Sequence, residues 1–142
     1  MDALREAGNA LLDFLYPPVC YLCRAVGAWV CEACVEAWPV AEPPVCPTCG
    51  GPLGGACRWC GRGTGEITAA AFACVYDGRA REAVHLLKYK GKRRVAPAMA
   101  EAMARAFQWA PGFRAADCVV PVALHPARLR ARGYNQTEWL AL

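Results

Sequence analysis

The sequence has no apolar stretch long enough to cross a bilayer, no Gly-x-Gly-x-x-Gly, no P-loop and no two adjacent acidic residues. The first absence excludes a transmembrane helix, which needs about 20 consecutive apolar residues. The next two exclude the common backbone cradles for dinucleotides and nucleoside triphosphates. Only two histidines occur, His85 and His125, and no Ser/His/Asp arrangement surrounds either, so hydrolytic triad chemistry has no visible base. Lys is scarce beside Arg, 3 against 13, a bias of composition from which no function follows. The opening "MDALREAGNALLDFLYPP" is interrupted by Asp2, Arg5, Glu6 and Asp13, which excludes a signal peptide. A cytoplasmic protein without membrane contact is expected.

What the chain does have is cysteine, ten in 142 residues. In a reducing cytoplasm that number points to metal rather than disulfides. Eight of the ten form four Cys-x-x-Cys pairs: Cys20/Cys23, Cys31/Cys34, Cys46/Cys49 and Cys57/Cys60. Seven residues separate the first pair from the second and seven the third from the fourth, with eleven between the halves. A pair, a seven-residue gap and a second pair therefore occur twice. Two residues between thiolates let one tight turn direct both sulfurs at a tetrahedral ion. Gly50 and Gly61 follow their pairs directly, where a positive φ lets backbone N–H groups face sulfur. Two structural zinc sites are expected in sequential pairing, Cys20/Cys23/Cys31/Cys34 and Cys46/Cys49/Cys57/Cys60; spacing also admits an interleaved pairing. Four thiolates leave no open coordination position, so neither site is catalytic. Cys74 and Cys118 lie in apolar runs and read as small buried hydrophobes.

Around this ladder the chain divides into three parts. Residues 1–18 read as an amphipathic helix with Leu4, Leu11, Leu12 and Leu15 at helical spacing, ended by Pro17-Pro18. Residues 19–66 form a Cys-, Pro-, Gly- and Trp-rich double ribbon with no apolar period, which folds only if something besides hydrophobic burial holds it. Residues 67–142 read as strand ("ITAAAFACVYDG"), helix ("RAREAVHLLKYKG", Val84 and Leu87 inward), helix ("RVAPAMAEAMARAFQW"), strand ("DCVVPVA"), basic loop and the start of a last helix. That order implies an α/β unit with a parallel sheet, unfinished at two strands.

Charge follows the same division. Residues 1–66 hold 4 Lys+Arg against 7 Asp+Glu, whereas residues 67–142 hold 12 against 5. The second part is therefore the candidate for anionic ligands. Two clusters stand out there, "KYKGKRR" (Lys88, Lys90, Lys92, Arg93, Arg94) and "HPARLRARG" (Arg128, Arg130, Arg132). The first reads equally as a solvated helix end or as a nucleic-acid contact. The second follows a strand and leads into a helix, where α/β proteins bind phosphates.

Taken together, "LLDFLYPPVCYLC", the cysteine ladder, "VYDGRAREAVHLLKYKGKR" and "VVPVALHPARLRARGYNQ" resemble the ComF family of competence proteins over essentially the whole chain. The resemblance implies a double zinc ribbon followed by a type I phosphoribosyltransferase-like domain. It also implies phosphoribosyl pyrophosphate with magnesium as ligand of the complete protein, and a link to natural transformation and DNA uptake. Single-stranded DNA or a DNA-uptake helicase is the implied partner. Carried over by motif, Arg128, Arg132, Asn135 and Gln136 fall near the pyrophosphate, with Lys88 and Lys90 a step behind. The family's ribose-phosphate signature, two adjacent acidic residues followed by Thr-Thr-Gly, has no counterpart in these residues. The expectation is thus the N-terminal part of such a protein, completed by a C-terminal half and inactive alone. The alternative is a zinc-ribbon binding module that contacts DNA or an uptake partner without catalysis.

Overall fold

In the computed structural model the residues described are 15–38, 45, 46, 48, 51, 53, 57, 70–109, 113 and 116–142. Most of the expected N-terminal helix, residues 1–14, and the start of the first expected strand, residues 67–69, lie outside them.

The first cysteine pair sits on a tight reversal. Gly27 N–H donates to the Pro18 carbonyl at 2.8 Å, and Cys20 N–H to Ala25 at 2.8 Å. Val19 and Val26 form an isolated antiparallel bridge. The turn closes through Arg24 N–H on the Cys20 carbonyl at 2.9 Å, with Arg24 at φ +69°. Helix α1 (Glu32–Glu36) follows directly, with Cys31 at its N-cap.

Helix α2 (Gly78–Tyr89) starts where the Asp77 side chain accepts the Gly78 N–H, satisfying one orphan donor of its first turn. Ala80, Ala83 and Leu87 form its buried stripe, at the three- and four-residue spacing of one helix face. Gly91, at φ +67°, turns the chain into a 3-10 segment (Arg93–Val95) and then α3 (Ala96–Trp109). The core joins both sides of residue 66: Trp38 packs with Ala80, Ala83 and Val95, flanked by Tyr21, Leu22, Val30 and Val35. A second cluster seats Leu87, Ala96 and Tyr134 together, with Met99 and Leu140 beside them.

Two sequence expectations need correction. Among the described residues no strand occurs, so the expected parallel sheet is not supported there. Val119, Val120 and Val122 of "DCVVPVA" are 69, 76 and 74% exposed. A parallel strand needs neighbours along its edges and helices over its faces, whereas α2 and α3 pack around Trp38. Cys118, expected inside this strand, is exposed for the same reason. The second correction concerns "HPARLRARG", which is not a loop but helix α4 (Pro126–Arg132). Pro126 at the first helical position, the His125 ring accepting the Ala127 N–H at 3.2 Å, and Gly133 at φ +78° bracket it. These are ordinary start and stop signals. Asn135 then caps α5 (Gln136–Ala141) through the Thr137 N–H.

Candidate metal centre and basic cavity

The first knuckle and the α1 N-terminus bring Cys20, Cys23, Cys31 and Cys34 together, with all four sulfurs within 4.8 Å of one another. This is the sequential pairing. Cys20 and Cys34 lie 3.8 Å apart and Cys23 and Cys31 3.4 Å apart, far beyond a disulfide bond of about 2.0 Å. A tetrahedron with zinc–sulfur bonds of about 2.3 Å has edges of about 3.8 Å, so the cluster has the size of a four-thiolate site.

The chemistry of the four sulfurs also fits a divalent cation. Burial opposes ionisation of Cys20, yet backbone N–H groups of Cys23, Cys31 and Leu22 bring its pKa down to about 6. Cys34 is pushed far up, by burial first and then by the neighbouring sulfurs. Four clustered thiols cannot all ionise by themselves, and a bound cation removes that conflict. Zinc, when bound, would supply a structural cross-link here and no reactive water, since every coordination position is taken.

Of the second expected site, Cys46 and Cys57 are among the described residues, whereas Cys49 and Cys60 lie outside them. Cys46 N–H donates to the Gly51 carbonyl at 2.8 Å, the bond that Cys20 N–H makes to Ala25 at 2.8 Å. Both run from residue i to residue i+5, so the start of the first knuckle is repeated at Cys46. Ala70 N–H reaches back to the Thr48 carbonyl at 2.7 Å and ties the chain beyond the ribbon to this turn.

The cations of the second part are distributed unevenly. Lys88, Tyr89 and Gly91 at the end of α2 and Arg128, Ala131 and Arg132 on α4 line an open cavity of about 500 Å³. The helical register places Arg128 and Arg132 on one side of α4, and Arg130 is not part of the lining. The Arg132 guanidinium lies 5.6 Å from the Tyr89 ring centroid and donates to Gln136.

The remaining candidates are placed elsewhere. Lys90 is an exposed residue at the α2 C-cap. Asn135, 4% exposed, donates from Nδ2 to the Val122 carbonyl and to Glu138, each at 3.2 Å. Its Oδ1 accepts from Thr137 N–H and Oγ1. Asn135 and Gln136 therefore brace α5, and neither lines the cavity. Three cations of "KYKGKRR" are exposed yet lie over aromatic rings. Lys92 is 5.1 Å from the Tyr21 ring, Arg94 4.3 Å from Trp29, and Arg93 4.5 Å from Tyr134. His125 is a helix cap, and His85 is exposed with its ring 5.4 Å from that of Tyr89.

One residue at the metal centre escaped the sequence reasoning. Arg79 Nη1 donates to Cys34 Sγ at 3.0 Å across 45 positions of chain, a separation at which no spacing rule operates.

Residues 11–75 match the family of the double zinc ribbon domain. No curated protein and no solved structure matches the chain. The matched span contains all four Cys-x-x-Cys pairs, and the cluster of Cys20, Cys23, Cys31 and Cys34 is the metal-binding centre of its first ribbon. Among the described residues no helix is long and apolar enough to cross a membrane.

Proposed function

We propose that the chain is a zinc-stabilised module presenting a phosphate-accepting cavity, and that it acts as a ComF-like, phosphoribosyltransferase-like protein linked to DNA uptake. The observation that carries this is the convergence of Lys88, Arg128 and Arg132 on one cavity from two helices far apart in sequence. Guanidinium groups match phosphate oxygens in pairs and ammonium groups add a point charge. Phosphoribosyl pyrophosphate with magnesium is the ligand that the family resemblance assigns to the complete protein. The acidic pair and Thr-Thr-Gly that would hold its ribose phosphate are not among these residues, so group transfer is not ascribed to them alone. The second zinc site is assigned to Cys46, Cys49, Cys57 and Cys60, supported by the repeated ladder and by the Cys46–Gly51 bond.

Single-stranded DNA is the second reading, favoured by the Tyr89 ring in the cavity lining. An aromatic face among cations accepts a stacked base beside its phosphate. Calorimetric titration of pyrophosphate, phosphoribosyl pyrophosphate with magnesium, and a short oligonucleotide separates the two. Magnesium-dependent binding of the small ligand, weakened by Arg128→Ala, supports the first. Strongly salt-dependent oligonucleotide binding without it supports the second. Binding of none of the three, or binding indifferent to Arg128→Ala, refutes the assignment of the cavity. Metal analysis giving fewer than two zinc ions per chain removes the second site.

A further inference from the structure

The two most buried sulfurs of the metal centre are supported differently. Cys20 and Cys34 are both fully buried. Cys20 sits among backbone donors, including Cys31 N–H at 3.5 Å. Among the described residues, the nitrogen donor on Cys34 is the Arg79 guanidinium, 3.0 Å away. A buried thiolate without a donor is costly, and a donor carrying positive charge offsets the most.

The charge balance points the same way. Four thiolates around one divalent cation leave a net charge of −2 on the site, and one guanidinium in contact with it halves that charge. Such outer-sphere partners orient ligands and tune the metal, and their loss commonly lowers metal affinity about 10–100-fold.

Arg79 is also the second residue of α2. One position later Ala80 enters the cluster containing Trp38, which lies four residues beyond Cys34, and Ala83 follows on the same face. The charged contact and the apolar seam thus join the same two elements, the segment from Cys34 to Trp38 and the first turns of α2. We infer that Arg79 is the outer-sphere donor of the first zinc site, and that through it metal binding and the docking of α2 are one coupled event. This rests on the assignment of zinc to Cys20, Cys23, Cys31 and Cys34.

The test uses the intact chain with cobalt and zinc, in the parent and in Arg79→Met, Arg79→Gln and Arg81→Met. Arg81 is an exposed position on the same helix and controls for removal of charge alone. Chelator competition should show metal affinity about 10–100-fold weaker in Arg79→Met, intermediate in Arg79→Gln, and within twofold of the parent in Arg81→Met. The sulfur-to-cobalt charge-transfer band should move to lower energy in Arg79→Met, because a thiolate that loses its donor gives up electrons more readily. Stripping metal from the parent should speed amide exchange across residues 79–89. In Arg79→Met that exchange should be fast even with metal bound.

Equal affinity and an unshifted band in Arg79→Met overturn the inference, as does α2 exchange that ignores metal. If Arg79→Met does not fold, parent-like affinity and band position in Arg79→Gln overturn it equally. A parent that binds no metal at these four cysteines would instead remove the zinc assignment itself.

Discussion

Tyr134 connects the two walls of the basic cavity, and removing its hydroxyl should be felt in both. The ring is 6% exposed against Leu87 and Ala96, and its O–H donates to the Leu87 carbonyl. Leu87 belongs to the last turn of α2, where carbonyls have no later helical N–H to accept. The phenol therefore caps α2 from the chain that follows α4. Tyr134→Phe keeps the packing and leaves that carbonyl buried without the donor, a loss of about 1–3 kcal/mol. For a chain of this size each kcal/mol lowers the melting temperature by roughly 3 °C, so a fall of about 3–9 °C is expected. Tyr134→Ala adds loss of the ring, for a total of about 3–5 kcal/mol or more. The assay is thermal unfolding by circular dichroism at one fixed zinc concentration, since bound metal shifts the transition. A Tyr134→Phe protein melting within 1 °C of the parent would show that this carbonyl is otherwise satisfied and that the cap contributes nothing.

Arg128→Ala should weaken pyrophosphate or oligonucleotide binding about 10–100-fold, the range for a hydrogen bond to a charged group. Arg130→Ala, on the same helix but outside the cavity lining, should stay within twofold by the same titration. Gly133→Ala places a Cβ at φ +78° and should cost about 1–2 kcal/mol, read as a lower urea midpoint at unchanged slope. Arg24 already holds φ +69° after the first knuckle, so Arg24→Gly should change stability by less than about 1 kcal/mol. Arg24→Val should lower it by more, because a β-branched residue tolerates that region poorly.

The metal centre was legible because thiolate spacing is local chemistry: two residues between Cys20 and Cys23 determine what one turn can do. Helices α2 and α3 were legible for a similar reason, since Leu87, Gly91 and the Ala-rich run from 96 to 106 carry periodicity and punctuation within one window. Helix α4 was equally marked by Pro126 and Gly133, but its cations outweighed those signals and it read as a loop. The expected strand at 117–123 is apolar, yet a strand exists only by pairing, and the pairing partner is not a local property. Arg79 at Cys34 and Arg94 over Trp29 are tertiary contacts between residues 45 and 65 positions apart. Arg79 looked like any solvated helix charge, and Arg94 like part of a free basic cluster.

Helix α4 has seven residues and none of them is buried. A helix that short is unstable by itself in water, so it persists through its ends, at His125 and at the turn of Gly133 and Tyr134. Segments with few buried contacts open at a small fraction of the global unfolding free energy. One wall of the basic cavity thus stands on a segment that should open more readily than the Cys20–Cys34 cluster and the Trp38 cluster. Any anion held by Arg128 and Arg132 must pay for quieting that motion, and its arrival should be recorded first as slower amide exchange in α4.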